Sequence, residues 1–186
     1  EEVTRTYSPV IGIDFGTTNS AAAVYNKVSQ QVEIITDPSG KEYEPSFYGL
    51  DDHNHPIFGE NAKAKFQLSP ASVVARVKRI IGEKRIITVA GKNYRTEEIV
   101  GKILYRIKTN ASLYFLAKSD DVFTNTVCRA FPHMPHAVIR EFMDKRKTPF
   151  ILKEVVISVP AYFNSNQKKA IRDAAEFERK LGDVRK

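Results

Sequence analysis

The chain has 186 residues, 42% hydrophobic and 27% charged, with 29 basic against 22 acidic side chains and a formal net charge of +7. That is the length and balance of one globular domain or lobe with a real core; the single cysteine, Cys128, rules out an internal disulfide, and no CxxC or His/Cys grouping has zinc-ligand spacing. The positive charge favours anionic partners without choosing among nucleotides, nucleic acid and acidic surfaces, no apolar run reaches the roughly eighteen residues of a membrane span, and the acidic start Glu1-Glu2 lacks the pattern of a signal peptide.

The first element, residues 10–26 (VIGIDFGTTNSAAAVYN), predicts a hairpin. Val10, Ile11 and Ile13 are strand formers, Gly16 marks the turn, and an apolar return strand follows from Ala21 to Tyr25. Asp14 then ends a strand, where its carboxylate can hold a magnesium ion through water. The hydroxyls and backbone N–H groups of Gly16, Thr17, Thr18 and Asn19 can face phosphate oxygens. The plainer reading is a turn in which glycine and threonine only reverse the chain, and the hairpin alone leaves both readings open.

Residues 32–36 predict a third strand, closed by the turn formers Asp37, Pro38, Ser39 and Gly40. Extended pieces at 45–50 and 57–59 flank a polar stretch in which His53 and His55 read as a solvated loop rather than metal ligands. Residues 59–66 (GENAKAKF) are helix-prone. A sharper helix is predicted over 70–81, with Ser69 as N-cap, Pro70 at the first position and Val73, Val74, Val77, Ile80 and Ile81 at helical spacing before Gly82. It carries Arg76, Lys78 and Arg79, which charge alone assigns to a solvated face. A hairpin at 86–94, turning at 90–93, precedes a helix from Glu97 to about Ala117, with acid at its start and Ile99, Val100, Ile103, Leu104 and Ile107 on one face. The sequon Asn110-Ala111-Ser112 falls on that helix and is not read as a glycosylation site.

Residues 118–153 carry Cys128, His133, His136 and the basic run Lys145-Arg146-Lys147. With no fourth ligand and no base partner, the cysteine and histidines read as ordinary loop or core residues. Val155, Val156, Ile157 and Val159 then predict a buried strand ending at Pro160, followed by a helix capped at Asn164 or Ser165 and running to about Leu181. Crevices at such strand ends commonly bind ligands, which sets residues 160–163 beside Asp14 as site candidates.

GIDFGTTNS, VVARVKRIIG and VVISVPAYFNSNQKKAIRDAAEF, in this order and spacing, resemble the first lobe of the nucleotide-binding domain of the heat shock protein 70 chaperones. The resemblance takes in nearly all of the chain outside residues 118–153. It implies an α/β, actin-like and ribonuclease-H-like fold, with a base subdomain at about 1–43 plus 112–186 and a smaller upper α/β subdomain at 44–111. It implies ATP or ADP with Mg2+ as cofactors. Asp14 takes the part of the residue organising hydrated magnesium, Gly16, Thr17, Thr18 and Asn19 that of the first phosphate loop, with Thr17 among the catalytic residues, and Lys78 that of the lysine reaching the terminal phosphate and attacking water. Pro160 resembles the switch proline that carries nucleotide state toward the substrate-binding domain. Lys168 stands where the family usually has an arginine in the same relay, and lysine keeps the charge but loses the planar fork.

By the same resemblance, residues 118–153 replace a shorter connection with an insertion of roughly two dozen residues or more, a length that is usually functional or disordered. The pattern departs from the family after Phe177. The second phosphate loop, adenosine pocket and peptide-binding domain are expected beyond it. The implied parent is a stress-response ATP hydrolase coupling hydrolysis to binding and release of unfolded polypeptides, with J-domain co-chaperones and nucleotide exchange factors as partners. The chain by itself is expected to be inactive. Its expected setting is the cytoplasm, with no nucleic-acid or membrane partner. The alternatives are a non-catalytic interaction module working through the insertion and a sugar kinase of the same superfamily.

Overall fold

A computed structural model describes residues 9–26, 29–117 and 154–183, with side chains omitted at 116–117 and beyond 177. Residues 118–153, and with them Cys128, His133, His136 and the predicted insertion, lie outside the described residues. The elements run β1 (Val10–Asp14), β2 (Asn19–Asn26), β3 (Gln31–Ile35), β4 (Glu44–Pro45), β5 (Tyr48–Leu50), β6 (Pro56–Phe58), α1 (Gly59–Leu68), β7 (Val73–Val74), β8 (Ile86–Val89), β9 (Lys92–Arg95), α2 (Thr96–Ala117), β10 (Glu154–Ser158) and α3 (Ser165–Asp183). The chain divides into two units, one from residues 1–13, 21–43 and 108–157, the other from residues 14–20, 44–107 and 158–186.

In the first unit the strand order is β10-β1-β2-β3. β2 pairs antiparallel with β3, Ala22 facing Ile35 and Val24 facing Glu33, while Ala23 faces Ile34 and Tyr25 faces Val32 on the opposite side of the pleat. Ile11, Ile13, Ala22, Val24 and Ile35 are buried, and Tyr114 of α2 donates its hydroxyl to Glu33 Oε2 at 3.1 Å. On the other side Val10, Tyr25, Val32 and Ile34 are exposed, with no cover among the described residues. β10 corrects the expectation of a buried strand, because Val155 is 44% and Val156 64% exposed. A continuous apolar run suits a strand covered on both faces, and here the described residues do not supply that cover.

The second unit is held by the apolar face of α2, where Ile99, Val100, Ile103, Leu104 and Ile107 are buried as the periodicity predicts, together with Tyr48, Leu50, Val77, Ile81 and Val89. β5 pairs with both β6 and β7, and β8 with β9 through a two-residue turn at Ala90 and Gly91, both in the left-handed region. The turn is therefore shorter than predicted, with Asn93 already in β9. α1 starts at Gly59, whose φ is +56, and a Cβ there would stand 2.6 Å from Glu44 Oε1. That missing side chain leaves room for Glu44 to accept a hydrogen bond from Arg106 Nε at 3.2 Å, in an ion pair whose side chains are each only 19% exposed.

The helix expected over residues 70–81 does not form. Its place is taken by a 3-10 turn at Pro70–Ser72, strand β7, a left-handed Arg76 with φ of 55° and a second 3-10 turn at Val77–Ile80. Val73, Val77 and Ile81 are buried at the helical spacing that prompted the expectation. The backbone of the β-branched Val73 and Val74 is nonetheless drawn into the sheet, pairing with Gly49 and Tyr48, and tertiary pairing overrides local periodicity.

Candidate functional site

Alternation along β1 turns Ile11 and Ile13 inward and leaves Asp14 exposed at the strand end. Its Oδ1 accepts a hydrogen bond from the Ser158 hydroxyl at 2.9 Å, and no backbone N–H among the described residues reaches it. The carboxylate is thus oriented from one side and open on the other. Phe15 follows, fully buried, and anchors the start of the loop.

Gly16 is required by a close approach, because a Cβ at this position would stand 1.9 Å from the Asn19 carbonyl oxygen. The loop is braced from behind. Gly16 N–H donates to Ser20 Oγ at 3.3 Å, the Ser20 and Ser46 hydroxyls are 2.8 Å apart, and Ser46 N–H donates to the Thr18 carbonyl at 2.8 Å. Ser20 and Ser46 are buried, so these bonds hold the loop's shape without solvent competition. The side chains of Thr17, Thr18 and Asn19 make no hydrogen bond with the described residues, and Thr18 and Asn19 are exposed. Their donors are available to a ligand.

Lys78 sits in the turn Val77–Ile80, next to the buried Val77 that pins this segment to the core. Its ammonium donates to the Phe15 carbonyl and lies 5.8 Å from the ring centroids of both Phe15 and Phe163. Burial pushes the ammonium below its usual 10.5, and the negative charge of Asp14 partly opposes that shift. A compact cation is therefore kept partly out of water beside a loop whose Thr17, Thr18 and Asn19 side-chain donors are unused among the described residues.

Pro160 accepts a hydrogen bond from Phe163 N–H at 3.0 Å, closing the turn that ends β10. Asn164 and Gln167 then cap α3 reciprocally: Asn164 N–H donates to Gln167 Oε1 and Gln167 N–H to Asn164 Oδ1, each at 3.0 Å. Gly82 packs against the backbone of Gln167, so the end of the Lys78 segment abuts this first helical turn. Lys168 lies in that turn with its side chain exposed and makes no bond to Asp14 or Lys78.

Asp14, the loop at 16–19, Lys78 and the turn after Pro160 thus come together in the second unit, and Lys168 is not tied to them by a side-chain contact. Three contributors escaped the sequence reading. Ser158 looked like a strand residue, and nothing local shows that it meets Asp14. Ser20 and Ser46 brace the loop from 26 positions apart, which no short motif encodes.

A protein-family model described as Hsp70 protein matches residues 10–178. The chain belongs to the Hsp70 family. The match runs from the first residue of β1 through the glycine turn, the Lys78 segment and most of α3, and so covers every residue of the site. Membership makes this an Hsp70-type chaperone ATPase sequence, ATP-binding and with the actin-like ATPase fold of that family, in agreement with the α/β architecture observed.

Proposed function

We propose that these residues form the phosphate- and magnesium-facing wall of the ATP site, with the glycine turn as first phosphate loop and Lys78 as the residue that reaches the terminal phosphate. The observation that carries this reading is the Lys78 ammonium seated on the Phe15 carbonyl, one residue from Asp14 and one from Gly16. The donor set suits the cofactor. Asp14 offers an open carboxylate, a geometry suited to holding hydrated magnesium, and the loop at 16–19 presents N–H and hydroxyl groups where Gly16 leaves the backbone bare. Bound magnesium would neutralise phosphate charge.

The chain's own contributions follow from its geometry. Residues 16–19 bind and orient phosphate oxygens, Thr17 acting nearest the half-buried floor. Lys78, preorganised and partly dry, stabilises negative charge developing on the terminal phosphate; such a contact is worth about 3 to 4 kcal/mol of barrier. Pro160 and its turn carry nucleotide state onward to a peptide-binding domain, and Lys168 serves that relay with a point charge instead of a fork. Residues 1–43 with 112–186 and residues 44–111 act as base and upper subdomains. The parent protein couples hydrolysis to binding and release of unfolded polypeptides in the stress response, with J-domain co-chaperones and nucleotide exchange factors, and works in the cytoplasm.

One wall leaves most of a nucleotide in water, whereas good sites bury most of their ligand. Calorimetry of this chain with Mg·ATP is therefore expected to show weak binding at best and a phosphate-release assay no hydrolysis. Micromolar affinity for the chain alone would overturn the single-wall reading.

A further inference from the structure

Phe163 is the inward-turned aromatic of the Pro160 turn: it is 5% exposed, while the adjacent Tyr162 is 83% exposed. Its ring centroid lies as far from Lys78 Nζ as that of Phe15, 5.8 Å in each case, within the range over which a π face attracts a cation. We propose that Phe163 is a positioning residue for Lys78, gripping the ammonium together with Phe15 and holding it over the Phe15 carbonyl before any phosphate arrives. This rests on the reading of Lys78 as the phosphate-facing lysine.

The physical advantage lies in what the rings do not bring. A carboxylate in contact with Lys78 would hold it as firmly but would compete with a phosphate for the same charge. Two aromatic faces and one neutral carbonyl fix the nitrogen and leave its charge unpaired. Asp14, the anion whose field reaches Lys78, engages Ser158 instead. Other charges nearby along the chain stay in solvent: Arg76 and Arg79 on the same segment are exposed, as is Lys168 on α3, and Lys169 is paired with Asp173 at 2.6 Å. Because Phe163 N–H is bonded to the Pro160 carbonyl, a rearrangement of that turn removes one of the two faces from Lys78.

The test compares this chain with Phe163→Leu and Phe163→Tyr by NMR of isotopically labelled protein. Ring currents from the two faces shift the Lys78 methylene protons upfield in the unsubstituted chain. Phe163→Leu keeps an apolar side chain but removes a face, and the upfield shift falls; Phe163→Tyr retains it. Inorganic tripolyphosphate, followed at the same resonances, binds roughly 2- to 5-fold more weakly to the leucine variant and as well as before to the tyrosine variant. Equal Lys78 shifts in the unsubstituted and leucine chains would overturn the grip. A grip seen with the Lys78 resonances unmoved in every variant by tripolyphosphate at tens of millimolar, where even weak binding registers, would overturn the phosphate role of Lys78 and leave the aromatic contact standing. Should the leucine variant fail to fold, Phe163→Met gives the same readout with a more adaptable side chain.

Discussion

Two aspartate turns of the second unit spend their carboxylates in opposite ways. Asp51 turns its charge back on its own loop: Oδ1 accepts from the N–H groups of His53 and His55, each at 2.8 Å, and Oδ2 meets the His55 ring at 3.3 Å. Asp37 in the first unit does likewise with Ser39 and Lys41. Asp14 accepts nothing from its own loop. There Ser20 and Ser46 do the bracing, and the carboxylate is touched by one hydroxyl from another strand. A carboxylate consumed by local amides builds a turn, whereas one relieved of that duty can serve a ligand.

The contrast is sharpest at the charge that faces Asp14. In the complete ATPase, Lys78→Met should slow single-turnover hydrolysis by about 100- to 1,000-fold. Its effect on folding should be of opposite sign or nil. The Lys78 pKa is lowered by burial, so the unfolded chain binds the proton more readily than the folded one between the depressed value and 10.5, and stability rises with pH across that window. Below it the partial desolvation of the charge is a cost that methionine removes, and thermal unfolding at neutral pH should show an unchanged or higher Tm for the variant.

Asp14→Asn should weaken magnesium-dependent nucleotide affinity in the complete ATPase by roughly 10- to 100-fold while leaving the Tm of this chain nearly unchanged. A large drop in Tm would place Asp14 with Asp51 as a turn builder and break the comparison. Gly16→Ala acts on the loop itself: a methyl group 1.9 Å from the Asn19 carbonyl forces the turn open, a cost of about 1–3 kcal/mol measurable by urea denaturation.

The smallest effect is expected at Asp51. The His55 backbone N–H holds its carboxyl below the usual 3.8; desolvation opposes it, and the His53 N–H and the His55 ring add to the lowering. Such a group stabilises the fold fully above its unfolded pKa and loses that contribution as pH falls through the depressed folded value. Asp51→Asn should therefore lower Tm slightly at pH 6, and the difference from the unsubstituted chain should shrink as the solution is acidified below 3.8. A difference independent of pH would show that the turn is held by shape alone.

Much of this was legible in the sequence because the signals are local. The alternation of Val10 to Ile13, the turn at Gly16 and the stripe of Ile99, Val100, Ile103 and Ile107 each depend on neighbours a few residues away, and the structure has each element where those neighbours put it. The segment leading to Lys78 departs from the predicted helix because its burial period is helical while Val73 and Val74 pair with β5, across 24 to 26 positions that no window sees. The contacts of Ser158 with Asp14 and of Ser46 with Ser20 were invisible for the same reason. Lys78 was picked out by family resemblance, and its aromatic surroundings only by folding the chain.

Gly59, Glu44 and Arg106 describe a constraint of another kind. The helix α1 begins with a bare backbone, the bare backbone admits a carboxylate, and the carboxylate meets a guanidinium that is four-fifths covered. An alanine at 59 would evict Glu44, and a neutral residue at 44 would leave Arg106 ionised with little water around it. In descendants of this sequence the three positions should be inherited as one character, lost together by way of a repacked apolar cluster or not lost at all.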